Sequence, residues 1–176
     1  MLKVIMIYDQ IQAGAGTKDD KMVPLAATKE AVGPAVMMET YLKEIGAKVV
    51  ACLYCGNGTY KENPEEVTRK LTAMINKLKP DAVMCGPCFN YADYADMAAH
   101  VALNINENTP VPAIAAMSEE NADTIEAFKD KVLIVKNTEK KVELAMNDAL
   151  RNMCQLTKAL VQKEDTSKLK NEVCFH

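Results

Sequence analysis

The sequence predicts an α/β fold: a three-layer sandwich with a five-stranded parallel, flavodoxin-like sheet covered by helices on both faces. Three observations carry this. Short apolar runs alternate with helical patterns five times along the 176 residues, the order that builds a parallel sheet with helices as crossovers. The runs are nearly continuous in apolar residues, as strands buried on both faces are. Right-handed crossovers then leave a flavodoxin-like strand order as the simplest topology.

Leu2 to Tyr8 is the first such run. A long connection follows, from Asp9 to about Gly33, without clear periodicity until Leu25; connections of this length are usually functional or disordered. Pro34 and Gly46 then bracket a helix, with Val36, Met37, Met38, Tyr41, Leu42 and Ile45 as its expected apolar face. A second strand, Lys48 to about Tyr54, ends at Cys55-Gly-Asn-Gly-Thr-Tyr60. Asn63-Pro64-Glu65-Glu66 has the form of a capping box. The helix it opens should bury Val67, Leu71, Ile75 and Leu78 and close at Pro80.

The third strand is the start of Asp81-Ala-Val-Met-Cys-Gly-Pro-Cys-Phe-Asn90, which stops at a Gly-Pro turn. It hands over to an alanine-rich helix from about Tyr91 to Asn104. Pro110 to Ala116 supplies a fourth strand, ending at Met117-Ser-Glu-Glu-Asn121, then a short helix and a fifth strand, Val132 to Val135. The last helix is expected from about Thr138 to Val161. Its stripe of Val142, Met146, Ala149, Met153, Leu156 and Leu160 suits either a subunit seam or packing on the sheet. The organisation expected is one α/β domain over residues 1–165 and a loose polar tail over residues 166–176.

Composition limits the function classes. Hydrophobic residues make up 49% and charged residues 26%, with a net charge of −3. This is globular composition that recruits neither nucleic acid nor an anionic membrane. No apolar run reaches the ~18 residues of a membrane span. Six cysteines without an export signal point to a reducing cytoplasm and free thiols.

In an open α/β sheet, ligands bind at the carboxyl ends of the strands. The predicted topology brings Asp9 and Gln12, Cys55 and Asn57, Cys85 to Asn90 including Gly86 and Cys88, and Ser118 to Asn121 including Glu120 to that rim. Gln12-Ala-Gly-Ala-Gly-Thr-Lys18 suggests a phosphate loop, but lacks the Walker spacing and the third glycine of a dinucleotide fingerprint. Two C-x-x-C pairs, Cys52/Cys55 and Cys85/Cys88, suggest a metal. Alternation along a strand turns Cys52 and Cys55 to opposite faces, so no metal site is expected.

Cys85-Gly-Pro-Cys88 has the thioredoxin tetrapeptide, and a helix start there would favour a thiolate. The element order does not suit that fold, so an exposed nucleophilic thiol among Cys55, Cys85 and Cys88 is the expectation, with a dithiol oxidoreductase as the alternative. His100 follows Asp96 by four residues, a surface pair. Backbone N–H groups after Gly86-Pro87 are expected to receive a ligand carboxylate. Glu119 or Glu120 is expected to meet its ammonium.

Five separated motifs, in order, resemble the N-terminal part of the component B selenoprotein of glycine, sarcosine and betaine reductases. They are Asp9-Gln-Ile-Gln-Ala-Gly-Ala-Gly16, Val32-Gly-Pro34, Cys55-Gly-Asn-Gly58, Cys85-Gly-Pro-Cys-Phe-Asn-Tyr-Ala-Asp-Tyr94 and Val111-Pro-Ala-Ile-Ala-Ala-Met-Ser-Glu-Glu-Asn121. By that resemblance Cys55 matches a family cysteine, whereas Cys85 and Cys88 replace alanines around a structural turn. The family's Arg-Tyr is here Asp93-Tyr94.

The resemblance implies reductive C–N cleavage of a small amino acid or amine in anaerobic fermentation. It also implies a pyruvoyl group and a selenocysteine on partner chains, and thioredoxin-type thiols as electron source. This sequence has no selenocysteine. The expected role is therefore that of a reductase subunit in a homo- or hetero-oligomer, holding the substrate through Asp9, Gln12, Asn57, Gly86, Asn90, Glu120 and Asn121 with no cofactor of its own. The alternative is a non-catalytic binding or scaffold domain.

Overall fold

A computed structural model describes residues 1–137 and 143–176. The central strand β1 (Leu2–Tyr8) is apolar on both faces, with Val4 to Tyr8 fully buried. From it the chain runs through β2 (Ala26–Thr28) and two short helices, α1 (Pro34–Met37) and α2 (Glu39–Glu44), into β3 (Ala47–Tyr54). Next come α3 (Asn57–Glu62), α4 (Pro64–Leu78), β4 (Ala82–Cys85) and α5 (Ala92–Asn108). The remainder is β5 (Ala113–Met117), α6 (Ala122–Phe128), β6 (Ile134–Lys136), α7 (Glu143–Val161) and α8 (Ser167–Val173).

The sheet order is β2-β3-β1-β4-β5-β6. Its five long-range pairings outward from β1 are parallel except at β2, which joins β3 antiparallel. The parallel strands thus have the predicted flavodoxin-like order, and β2 adds a sixth strand at one edge. At three residues, Ala26-Ala27-Thr28 is too short to show a period, which is why the connection reads as structureless in the sequence. Helices α2 and α7 pack on one face of the sheet and α5 on the other, with α3, α4 and α6 against α5.

Other boundaries differ for local reasons. The helix after Gly33 is split at Met38, and its buried stripe is Met38, Leu42 and Ile45, spaced by four and three. Val36 and Met37 fall off that stripe and are exposed, contrary to expectation. The stretch that follows β3, Cys55 to Tyr60, winds into α3 from Asn57 onward. In α4 the Asn63 side chain accepts the Glu66 N–H at 3.2 Å and donates to the Glu66 carboxylate at 2.8 Å. The expected stripe holds at Val67, Leu71 and Ile75, but Leu78 is exposed at the last turn beside left-handed Lys79.

The expected helix start at Thr138 and the stripe position Val142 lie outside the described residues. Met146, Ala149, Met153 and Leu156 are buried as α7 packs on β4, β5 and β6. The tail expected to be loose instead forms α8, and Cys174 bridges Val135 of β6, with the Phe175 N–H donating to Ile134 at 3.0 Å. A charge-rich sequence gives little apolar signal for such a helix; Cys174 anchors it.

Candidate functional site

Strand β1 lies where the direction of winding reverses: the chain leaves it toward β3 on one side, while β4 and β5 continue on the other. The crevice at such a switch point is where an open α/β sheet binds ligands. The residues just past the strand ends are unusually polar for their burial. Asp9 and Gln10 are completely buried, Gln12 is 5% exposed, Asn57 8%, Ser118 2% and Asn121 6%.

Asp9 Oδ1 accepts the Gln12 N–H at 2.9 Å, while Asp9 Oδ2 has no partner. Burial raises the Asp9 pKa above its usual carboxylate value, opposed by hydrogen bonds from nearby backbone. Gln12 Nε2, Asn57 Oδ1 and Ser118 Oγ are likewise buried without a partner. Buried polar groups are nearly always paired. Four such atoms lie just past the ends of three parallel strands with hydrogen-bonding capacity left over.

Gln10, which the sequence reading passed over, ties the first two loops together. Its Oε1 accepts the Asn57 N–H at 3.0 Å, and its Nε2 donates to the Thr17 carbonyl at 3.4 Å. The connection after β1 straps across α3: Gly56 N–H donates to Val23 at 2.7 Å and Gly58 N–H to Lys21 at 2.8 Å. A Cβ at Gly56 would overlap the Lys21 carbonyl, and one at Gly33 would overlap the Gln12 carbonyl. The motif glycines therefore serve close approach of one rim loop to the next. Tyr8 adds a further anchor, its hydroxyl accepting the Ala35 N–H at 2.9 Å.

At the end of β4 the Gly86-Pro87 peptide is cis and Gly86 has φ 141°. The following Cys88 N–H donates to Ala116 at 2.8 Å. That N–H is thus taken, and α5 begins only at Ala92, so the carboxylate cradle expected directly after Gly86-Pro87 is not formed as expected. Phe89 is left-handed at φ 51°, and its carbonyl accepts the Ser118 N–H at 2.9 Å and the Asn121 side chain at 2.7 Å. Asn121 thereby works as a clamp between two loops. Asn90, Glu119 and Glu120 are exposed at the outer lip. Tyr94, fully buried, donates its hydroxyl to the Ile7 carbonyl.

The exposed, acidified thiol expected of this rim is absent: Cys55, Cys85 and Cys88 are all completely buried and free. Burial pushes Cys55 up to about 12, with the Asp9 charge adding to it. Burial likewise raises Cys85, and raises Cys88 with further contributions from Cys85 and Asp9. The helix-start effect loses to desolvation because the thiols lie beneath the turn. Cys55 donates to Met97 Sδ at 3.7 Å on the α5 side, while Cys52 lies near Tyr8 and Val32 on the other face. Among the described residues no cluster of three His, Cys, Asp or Glu groups is placed to hold a metal ion. None of their helices is long and apolar enough to cross a membrane.

Beside Asn57 opens a cleft of about 420 Å³ lined by Ile11, Lys18, Lys21, Tyr91 and Asp93 among others. Asp93 is engaged by Lys61 at 2.6 Å.

Fold and rim together define a doubly wound α/β domain whose switch-point rim carries buried polar residues. More particularly, the chain belongs to the glycine/sarcosine/betaine reductase selenoprotein B family, whose profile matches residues 1–176. It is 26% identical over 162 residues to the sarcosine reductase complex component B subunit beta of Peptoclostridium acidaminophilum, covering 92% of this chain and 36% of that one. It is 28% identical over 165 residues to the glycine reductase complex component B subunit gamma of the same organism, covering 93% and 36%. The chain thus spans little more than a third of the length of these relatives. Among solved structures, the receiver domain of a diguanylate cyclase from Desulfovibrio desulfuricans G20 aligns over 94% of this chain and 99% of its own, at 16% identity and a TM-score of 0.44. That likeness is too low to support an argument.

Proposed function

We propose that this chain is a subunit of a glycine-, sarcosine- or betaine-reductase-like complex, and that its rim forms one wall of a small amino acid or amine site. The observation that carries the reading is the set of unpaired buried atoms, Asp9 Oδ2, Gln12 Nε2, Asn57 Oδ1 and Ser118 Oγ, on loops built from the motifs typical of the family. A partner chain supplies the redox centre in this reading. The sequence has no selenocysteine, and its rim thiols are buried and protonated, so none can replace one. The same burial speaks against a dithiol oxidoreductase built on Cys85 and Cys88.

We place the pyruvoyl group and the selenocysteine on partner subunits, and the assembly in the cytoplasm. This chain's own part is to bind, orient and shield. Asp9 and Ser118 offer acceptors at the floor, while Asn90 and Glu120 stand at the lip where a partner would close the site. Recovery of the tagged chain from its native source, with the bound chains identified by mass spectrometry, tests this. A bound chain that carries selenocysteine, or that matches the remaining part of the family relatives, is expected. Recovery of the chain alone under gentle reducing conditions would refute the subunit reading.

A further inference from the structure

We propose that the cleft beside Asn57 binds the phosphate group of a small phosphate monoester, held by Lys18, Lys21 and the first turn of α5, with Asn57 accepting the proton that the phosphate carries. The inference goes beyond the subunit reading and does not depend on it. The cleft, about 420 Å³, lies between the connection after β1 and the starts of α3 and α5. That volume falls in the range of small-molecule sites.

Three features of the cleft select this ligand. The first is a helix start. Helix α5 runs for 17 residues, and its cap Tyr91 supplies no side-chain hydrogen bond. Among the described residues the N–H groups of Ala92 and Asp93, both on the cleft wall, have no acceptor. A helix end of this kind favours an anion through its unspent N–H groups and its dipole.

The second is charge. Lys18 and Lys21 line the cleft and form no ion pair among the described residues. Asp93 is drawn off by Lys61 at 2.6 Å, which leaves Asp19 as the opposing charge on the wall. The glycine-rich connection delivers Lys18 rather than its own donors, because Asp20 already takes the Thr17 N–H at 2.6 Å and the Thr17 hydroxyl at 3.0 Å. Helix and lysines, not a phosphate loop, hold the anion.

The third is Asn57, which distinguishes phosphate from other anions. It lines the cleft, is 8% exposed, and its Oδ1 is buried without a partner. Its backbone N–H is fixed by Gln10 Oε1 at 3.0 Å, while nothing among the described residues holds its side-chain amide, which is free to turn. An unpaired acceptor there calls for a donor on the ligand. A protonated phosphate brings anionic oxygens for the lysines and a P–OH for Asn57. Sulfate and acetate ions bring no donor and would leave Oδ1 unsatisfied. Ile11 and Tyr91 give an apolar wall to the organic part of an ester.

Titration of the purified chain near pH 6, close to the second pKa of a phosphate ester, tests the inference by NMR shifts or calorimetry. The probes are phenyl phosphate, inorganic phosphate, sulfate and acetate. Both phosphates should bind saturably, phenyl phosphate the more tightly. Sulfate and acetate should bind at least about tenfold more weakly than inorganic phosphate, the scale of a buried acceptor left unpaired. Lys18→Ala combined with Lys21→Ala should weaken both phosphates about tenfold or more. Lys77→Ala, on α4 outside the cleft, should leave them unchanged. Asn57→Ala should abolish the preference for phosphate over sulfate. If that variant fails to fold, the four anions and the lysine variants still decide.

Sulfate bound as tightly as phosphate, unaltered binding to the double lysine variant, or no saturable binding of either phosphate would overturn the assignment. So would a full preference retained in folded Asn57→Ala, or phenyl phosphate bound no more tightly than inorganic phosphate. None of these outcomes touches the subunit reading, which is judged by the identity of the copurifying chain.

Discussion

The side-chain amide of Asn121 donates to the carbonyl of Phe89 at 2.7 Å, across the gap between the loops that follow β5 and β4. The same carbonyl accepts the Ser118 N–H, and the pair holds Phe89 in a left-handed conformation that a bulky residue rarely adopts. Asn121→Ala should therefore lower unfolding stability by about 1–3 kcal/mol, since a buried acceptor loses a partner next to a strained residue. Urea denaturation checks this; a change within experimental error would show that the clamp is redundant.

Gly56 tests the strap over α3. Its N–H donates to Val23 at 2.7 Å, and any side chain would collide with the Lys21 carbonyl. Gly56→Ala should cost about 1–3 kcal/mol, as overpacking does. It should also speed proteolytic cleavage near Lys18 and Lys21, because the strap must move away from the helix. Wild-type stability with unaltered cleavage would contradict the close approach.

The thiols should be silent in the folded protein. Cys52, Cys55, Cys85, Cys88, Cys154 and Cys174 are all buried and free. Modification by a disulfide reagent at pH 8 should be more than about tenfold slower in buffer than in strong denaturant, because the thiolate fraction and access both fall on burial. A rapidly reacting stoichiometric thiol in the native state would revive the nucleophile reading.

Stability should depend on pH through these same groups. The folded pKa of Asp9 is raised above its ordinary 3.8, so the folded state retains the extra proton. The resulting stabilisation is full below the unfolded value and is lost as pH rises through the folded one. Asp9→Asn should thus raise the melting temperature at pH 8 and give a smaller gain near pH 4. Thiols ordinarily titrate at 9.0, while Cys55 is pushed up to about 12 and Cys174 to about 11. Wild-type stability should fall from about pH 9 upward as unfolded thiols ionise and folded ones do not. Flat melting curves between pH 8 and 11 would contradict the buried, protonated thiols.

Much of this fold was legible because its strands are apolar and its helices are punctuated. Leu2 to Tyr8 announces a central strand, and Asn63 with Glu66 marks the start of α4. The order of the parallel strands followed from alternation together with right-handed crossovers. What stayed hidden was short or tertiary: β2 has three residues, and the first turn of α3, from its cap Gly56, gives its N–H groups to carbonyls of a distant strap. The rim was foreseen in outline. Its chemistry was not, because a Cys-Gly-Pro-Cys string carries no sign that Cys85 and Cys88 lie beneath the turn. Gln10 was missed for a similar reason: only its burial and its bond to Asn57 distinguish it from a surface glutamine.

The central claim is that this chain forms part of a site completed by another subunit. The most direct measurement follows amine or ammonia release from glycine, sarcosine and betaine with a dithiol reductant, first by the purified chain and then by the chain with its copurifying partners. The account predicts no turnover by the chain alone and turnover by the assembly that Asp9→Asn diminishes. Sustained turnover by the chain alone, abolished by Cys55→Ala, would contradict it.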